Sequence, residues 1–208
     1  MLCRRLNRGE MAVAGIMLAA GASTRMGRNK LLLELEGEPL VRRAARRALA
    51  AGLEPLLVVL GYEANRVCQA LQGLACTPVL NPRFSEGMNT SLSAGVAAVP
   101  AEAEAVLVLL ADMPFVEQAM IEEVVVRWRE TAAPVVASRY GGAVAPPTLY
   151  ARALLPLLWG GTGEGRGREV VRGQGERARF VDWPPSALAD LDAPEDVVQA
   201  RARTERGI

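Results

Sequence analysis

Short, unbroken apolar runs alternate along the chain with amphipathic stretches. Residues 11–20 form the first run, the mark of a strand buried on both faces, and it ends in a Gly/Ser/Thr segment. Pro39 opens a helix predicted to reach residue 51, with Leu40, Ala44, Ala48 and Leu49 available to the core. Arg42, Arg43, Arg46 and Arg47 lie along its other side and read as a solvated face with no chemistry. Strands are expected at 55–60 and 75–80, around a helix at 63–72. Asn89 is placed to cap a helix running to residue 99. A fully buried strand at 105–111, an amphipathic helix at 116–130 and a strand at 134–138 follow. After Tyr140 the pattern loosens into a Gly/Pro-rich link, a helix at 149–158, a glycine-rich segment at 160–167, a strand at 179–182 and a helix after Pro194.

This alternation predicts a doubly wound α/β fold, a mostly parallel sheet with helices on both faces. Ligands of such sheets bind at the carboxyl ends of the strands, which singles out the segments after Ala20, Leu60, Leu80 and Ala111. The 208 residues, half of them hydrophobic, suffice for one substantial core. Residues 1–10 read as a disordered extension ahead of an alternative start at Met11, and 11–208 as one domain.

Charge and composition narrow the chemistry. With 24 basic and 23 acidic side chains the net charge is +1, which gives no electrostatic reason to expect nucleic acid or an anionic membrane as partner. There is no histidine, which excludes Ser-His-Asp and Cys-His catalysis and any zinc site with a histidine ligand. Lys30 is the only lysine beside 23 arginines, and ammonium and guanidinium are not interchangeable. Cys3, Cys68 and Cys76 lack metal or redox spacing and read as free thiols. No apolar stretch reaches the roughly 18 residues of a membrane span. A cytoplasmic location is expected.

The segment from Leu18 to Lys30 reads LAAGASTRMGRNK. Small residues let backbone N–H groups approach an anion and flanking cations neutralise it, so the loop suits a polyphosphate. Its glycine spacing is neither that of a Walker A loop nor GxGxxG, which leaves a dehydrogenase without a fingerprint. Asp112 ends the most hydrophobic strand, on the sheet edge that carries the Gly21 loop, where a carboxylate is placed to hold Mg²⁺ against triphosphate oxygens. A helix N-cap ahead of Pro114 is the competing reading of Asp112.

LAAG-x-S-x-RMG-x-x-K resembles the signature of the MobA-like nucleotidyltransferases, over most of the chain from Met11 to about Arg201. The LAAG form is similar to the branch that makes molybdenum cofactor cytidine dinucleotide from CTP. The resemblance implies a Rossmann-like nucleotidyltransferase domain in which Arg25 and Lys30 attend the phosphates and Asp112, in the ADMP motif, holds Mg²⁺. Ala19 and Ala20 would then shape the base pocket, with Leu18 and Gly21 beside them as nucleotide-binding residues. The segment NPRFSEGMNTSL is similar to the family's N-P-x-x-x-x-G-M-x-x-S-L, which implies Asn81, Gly87, Met88 and Ser91 as nucleotide-side residues. The segment DLDAPED is similar to D-I-D-T-P-E-D and implies Asp192 as a second metal ligand.

Two segments depart from the pattern. Ala145-Pro146-Pro147 stands where the cytidylyltransferases carry Gly-His-Pro, and 163–168 reads GEGRGR where they carry G-D-x-G-A-R. Both belong to the acceptor side in the family, and Arg166 and Arg168 are placed to clamp a phosphate. The glycine-rich run reads equally as a mobile surface loop.

The implied reaction is attack of an acceptor phosphate, already ionised near neutral pH, on the α-phosphorus of a nucleoside triphosphate. It needs no histidine. CTP and a molybdopterin-type acceptor are the expected substrates, with a molybdoenzyme or its chaperone as protein partner. GTP, a sugar phosphate or another phosphorylated cofactor remain open, as does a nucleotide- or cofactor-binding protein that catalyses no transfer.

Overall fold

The structure is a computed structural model and describes residues 12–23 and 26–188. Strand β1 (Val13–Ala19) is buried at every position and leads through the small-residue loop to a short hairpin, β2 (Glu34–Leu35) and β3 (Glu38–Pro39). Helix α1 (Leu40–Ala50), strand β4 (Leu56–Leu60), helix α2 (Ala64–Ala70) and strand β5 (Cys76–Leu80) follow. Then come α3 (Met88–Ala97), β6 (Ala105–Leu110), α4 (Gln118–Thr131) and β7 (Val135–Tyr140). The described chain closes with β8 (Ala143–Ala151), the short helix α5 (Leu155–Leu158), α6 (Arg166–Gly173) and β9 (Ala178–Trp183).

Seven strands form one sheet in the order β5-β4-β1-β6-β8-β7-β9. The β5, β4, β1 and β6 strands are mutually parallel, β8 runs antiparallel to β6 and β7, and β9 is parallel to β7. Successive side chains of β1 leave on opposite faces. Met17 joins a core with Leu56, Leu107 and the α4 residues Ile121 and Val124, whereas Ile16 joins one with Val59, Val106 and the α3 residue Leu92. Helices on both faces of a mostly parallel sheet are the doubly wound architecture expected from the apolar pattern. No helix among the described residues is long and apolar enough to cross a membrane.

Three local expectations are corrected. The supposed link after Tyr140 and the start of the helix at 149–158 are strand β8, because Leu149 and Tyr150 pair with Val136 and Val106 in its two neighbours. Pro146 and Pro147, which signalled a link, fall where the β7–β8 register shifts, a bulge that asks for no N–H donor. The arginines of α1 are not a free solvated face. Arg42 donates to the carbonyls of Ala70 and Gln72, Arg47 to those of Pro114 and Val116, Arg43 pairs with Glu36 and Arg46 with Glu38. Asn89 does not cap α3: it lies inside the helix, which follows Gly87 and has no side-chain cap. The expected N-terminal extension, the helix after Pro194, Arg25 and Asp192 lie outside the described residues.

The helix α3 reaches β1 because Gly95 carries no side chain. A Cβ at this position would stand 2.5 Å from Ile16 Cγ2 and 3.1 Å from Val59 Cγ2. Gly95→Ala is therefore expected to lower stability by about 1–3 kcal/mol, overpacking outweighing the better helix propensity of alanine. Urea unfolding measures it; a variant as stable as the parent would mean that the interface has slack.

Candidate active site

The carboxyl ends of β1, β4, β5 and β6 open on one edge of the sheet, and hydrogen bonds carry the register a residue beyond the strands. The amide of Ala111 donates to Leu18 O (3.1 Å), that of Asn81 to Leu60 O (2.8 Å) and that of Tyr62 to Ala20 O (3.1 Å). The loop after β1 is held from within. Ser23 Oγ accepts from the amide of Lys30 (3.1 Å), and the buried Asn29 accepts from Leu31 N (3.1 Å) while its Nδ2 donates to Tyr62 O (3.4 Å). This fixes the backbone of Lys30 against the β4 exit. Its Nζ lies 2.7 Å from Asp112 Oδ2, with side-chain exposures of 13% and 23%. An ion pair this enclosed is sustained because each charge offsets the desolvation of the other.

Around this pair lies a cavity of about 480 Å³. Leu18, Ala19, Ala20 and Gly21 line one side, Gly87, Met88 and Ser91 another, and Lys30 and Asp112 a third. Nine of the residues singled out in the sequence thus meet in one hollow, drawn from three separated segments. Asn81 does not line it. It is buried beneath, donating through Nδ2 to Thr90 Oγ1 and Ser91 Oγ (2.9 Å each) and accepting from Arg83 N (3.0 Å). Its part is to hold Ser91 in the wall. The structure adds Ala22, Leu31, Phe84, Ser85 and Leu110, together with Glu164 from the divergent 163–168 segment.

A second cavity, of about 230 Å³, adjoins the first and shares Leu18, Met88, Leu110 and Glu164 with it. Its other walls come from α3, β6, β8 and α6, including Leu92, Val108, Val144, Pro146, Tyr150 and Arg168. Both segments that depart from the family pattern therefore border the same hollow. The 160–167 segment, read as a mobile surface loop, is exposed at 161–164 and is tied to α3 by hydrogen bonds. Asn89 Nδ2 donates to Thr162 O (2.9 Å), its Oδ1 accepts from Arg166 N (3.2 Å) and its amide donates to Gly163 O (2.9 Å). The amide of Gly163 donates to Glu86 O (2.8 Å), and Ser93 Oγ accepts from Gly160 N (2.8 Å). Gly87 has φ 109° and a Cβ there would collide with the backbone of Gly163, so the approach requires glycine.

Among the described residues no group of three or more His, Cys, Asp or Glu side chains is placed to hold a metal. That does not conflict with Mg²⁺, which is bound by one or two carboxylates plus substrate phosphates rather than by an all-protein cage. Asp112 supplies one carboxylate at the edge of the cavity. The donor set fits.

A parallel-sheet edge with a small-residue loop, one ammonium and one carboxylate is the place where α/β proteins bind their ligands. The model of the MobA-like NTP transferase domain matches residues 15–179, and the chain belongs to that family. It is 31% identical over 198 residues to purine catabolism protein PucB of Bacillus subtilis, covering 90% of this chain and 95% of that protein. It is 30% identical over 197 residues to a molybdenum cofactor guanylyltransferase of Rhodobacter capsulatus, covering 93% and 97%. The crystal structure of Rv0371c from Mycobacterium tuberculosis shares the fold, with a TM-score of 0.79, 24% identity and coverage of 92% and 98%.

The Asn89 clasp generates a prediction. Asn89→Ala removes two side-chain hydrogen bonds, each worth about 1 kcal/mol or more where the partner is left unsatisfied. Amide exchange at 160–166 is expected to accelerate at least tenfold while the amides of β1, β4 and β6 keep their protection. Unchanged exchange in the loop would remove the clasp as its anchor.

Proposed function

We propose that the protein transfers a nucleoside monophosphate from a nucleoside triphosphate, CTP favoured, to a phosphorylated acceptor of the molybdopterin type, with release of pyrophosphate. The observation that carries this reading is the pair of confluent cavities, one with Lys30, Asp112 and a small-residue loop, the other largely apolar. A triphosphate in the first and an acceptor in the second would meet at Leu18, Met88, Leu110 and Glu164. Family membership supports the chemistry. The LAAG form of the loop favours CTP, whereas the Rhodobacter relative bears the name of a guanylyltransferase, so the base is decided by experiment.

In this mechanism the residues align and neutralise. The backbone of 18–21 and the Gly87–Ser91 wall position the nucleotide, and holding both reactants in one hollow removes much of the entropic barrier. Lys30 moves from Asp112 toward the phosphates and, with Arg25, stabilises charge that builds on the departing pyrophosphate. Asp112, joined by Asp192, is the residue that would hold Mg²⁺, which when bound polarises the phosphoryl oxygens. No side chain has to accept a proton, consistent with a chain without histidine. The setting is cytoplasmic, and a molybdoenzyme or its chaperone would receive the product.

The test is pyrophosphate release with CTP, GTP, ATP and UTP against molybdopterin and a panel of sugar phosphates. CTP with molybdopterin is expected to be the fastest pair. GTP as the better donor, or a sugar phosphate as the better acceptor, would keep the chemistry and change the substrate. Nucleotide binding without product in any combination would favour a binding protein. Lys30→Arg is expected to lower kcat roughly 100-fold with the melting temperature retained. Asp112→Asn should abolish Mg²⁺-dependent turnover, and an unaltered Mg²⁺ titration would take Asp112 out of the metal site.

A further inference from the structure

The floor of the apolar cavity holds a feature that transfer chemistry does not require. Tyr150 and Thr148, each 3% exposed, lie two residues apart on β8 and so share a face of the strand. The Thr148 hydroxyl hydrogen-bonds the phenol oxygen. Leu92, Val108, Leu110, Val144, Pro146 and Val171 around them offer no hydrogen-bonding side-chain atom. Gly167 on α6 comes down over the phenol: a Cβ there would stand 2.8 Å from Tyr150 Oη. A glycine at this point leaves the hydroxyl open to the cavity.

Paired with each other in an apolar hollow, the two buried hydroxyls still have hydrogen-bonding capacity that a ligand can complete. Two paired hydroxyls use one proton between them and keep the other for a bound molecule. Burial pushes the Tyr150 phenol well above its ordinary range, an effect that the Thr148 hydrogen bond only partly opposes. It therefore remains a neutral donor. The charged residues of the cavity, Glu164 and Arg168, are solvent-exposed, and Glu164 stands where the two hollows join. An anionic group would meet its cation there and not at the floor.

We infer that Tyr150 is a specificity-determining residue whose Oη donates to a neutral acceptor atom, a carbonyl oxygen or a ring nitrogen, on the buried end of the acceptor substrate. Thr148 fixes the phenol in place. The inference rests on the reading that this cavity takes the acceptor. It also gives a polar contact to a site whose Ala145-Pro146-Pro147 segment supplies no side-chain donor.

Tyr150→Phe deletes one oxygen and keeps the ring. With CTP and molybdopterin as probes, KM for molybdopterin is expected to rise about tenfold, while kcat, KM for CTP and the melting temperature stay close to the parent values. Thr148→Val is expected to give a smaller rise in the same constant. An unchanged molybdopterin KM in Tyr150→Phe, or equal rises for both substrates, would overturn the assignment. Equilibrium binding of molybdopterin to both proteins, followed by fluorescence, needs no turnover. Parent protein that binds but does not transfer, with weaker binding by Tyr150→Phe, upholds the inference and sinks the transfer reading. Parent protein that does not bind molybdopterin overturns the inference itself.

Discussion

The complete burial of β1 is the constraint on which the rest depends. A strand paired on both edges and covered on both faces has nowhere to turn inside the core, so its chain must leave at the carboxyl end. There it runs beside the ends of β4 and β6, which brings Ala20 to Tyr62 and Leu18 to Ala111. The loop residues up to Lys30 and the carboxylate of Asp112 thereby reach one place from opposite sides of the same strand. The ion pair between them follows from strand order, not from proximity in the chain.

A chain without histidine that handles phosphates must rely on fixed charge and backbone donors. Lys30 and Asp112 hold each other across 2.7 Å, a compact arrangement that arginine would not reproduce because its fork is longer and planar.

The two cavities are mechanically one. Asn89 and Gly87 join α3 to the 160–166 segment through hydrogen bonds and a close backbone approach, so the wall of the larger cavity also seats a wall of the smaller one. A segment with five glycines between 160 and 167 has high intrinsic freedom. Its order is supplied by contacts with a helix some seventy residues earlier.

The sequence by itself determined the parallel strands, the helices on both faces, the small-residue loop after the first strand and Asp112 at a strand end, because apolar runs and small-residue spacing are local signals. It also carried the family signature. It did not disclose β8, whose prolines mimic a link and whose pairing depends on β6 and β7 offering antiparallel edges. Nor did it disclose that Asn81 braces the wall from below, that Asn89 is a clasp instead of a cap, or that Arg42 and Arg47 are tethers. Each of these side chains finds its partner far away in sequence, and a polar residue at a helix start looks the same locally whether it satisfies its own turn or another segment. The tertiary structure decided these roles, since buried polar groups take whichever partners the packed fold brings within reach.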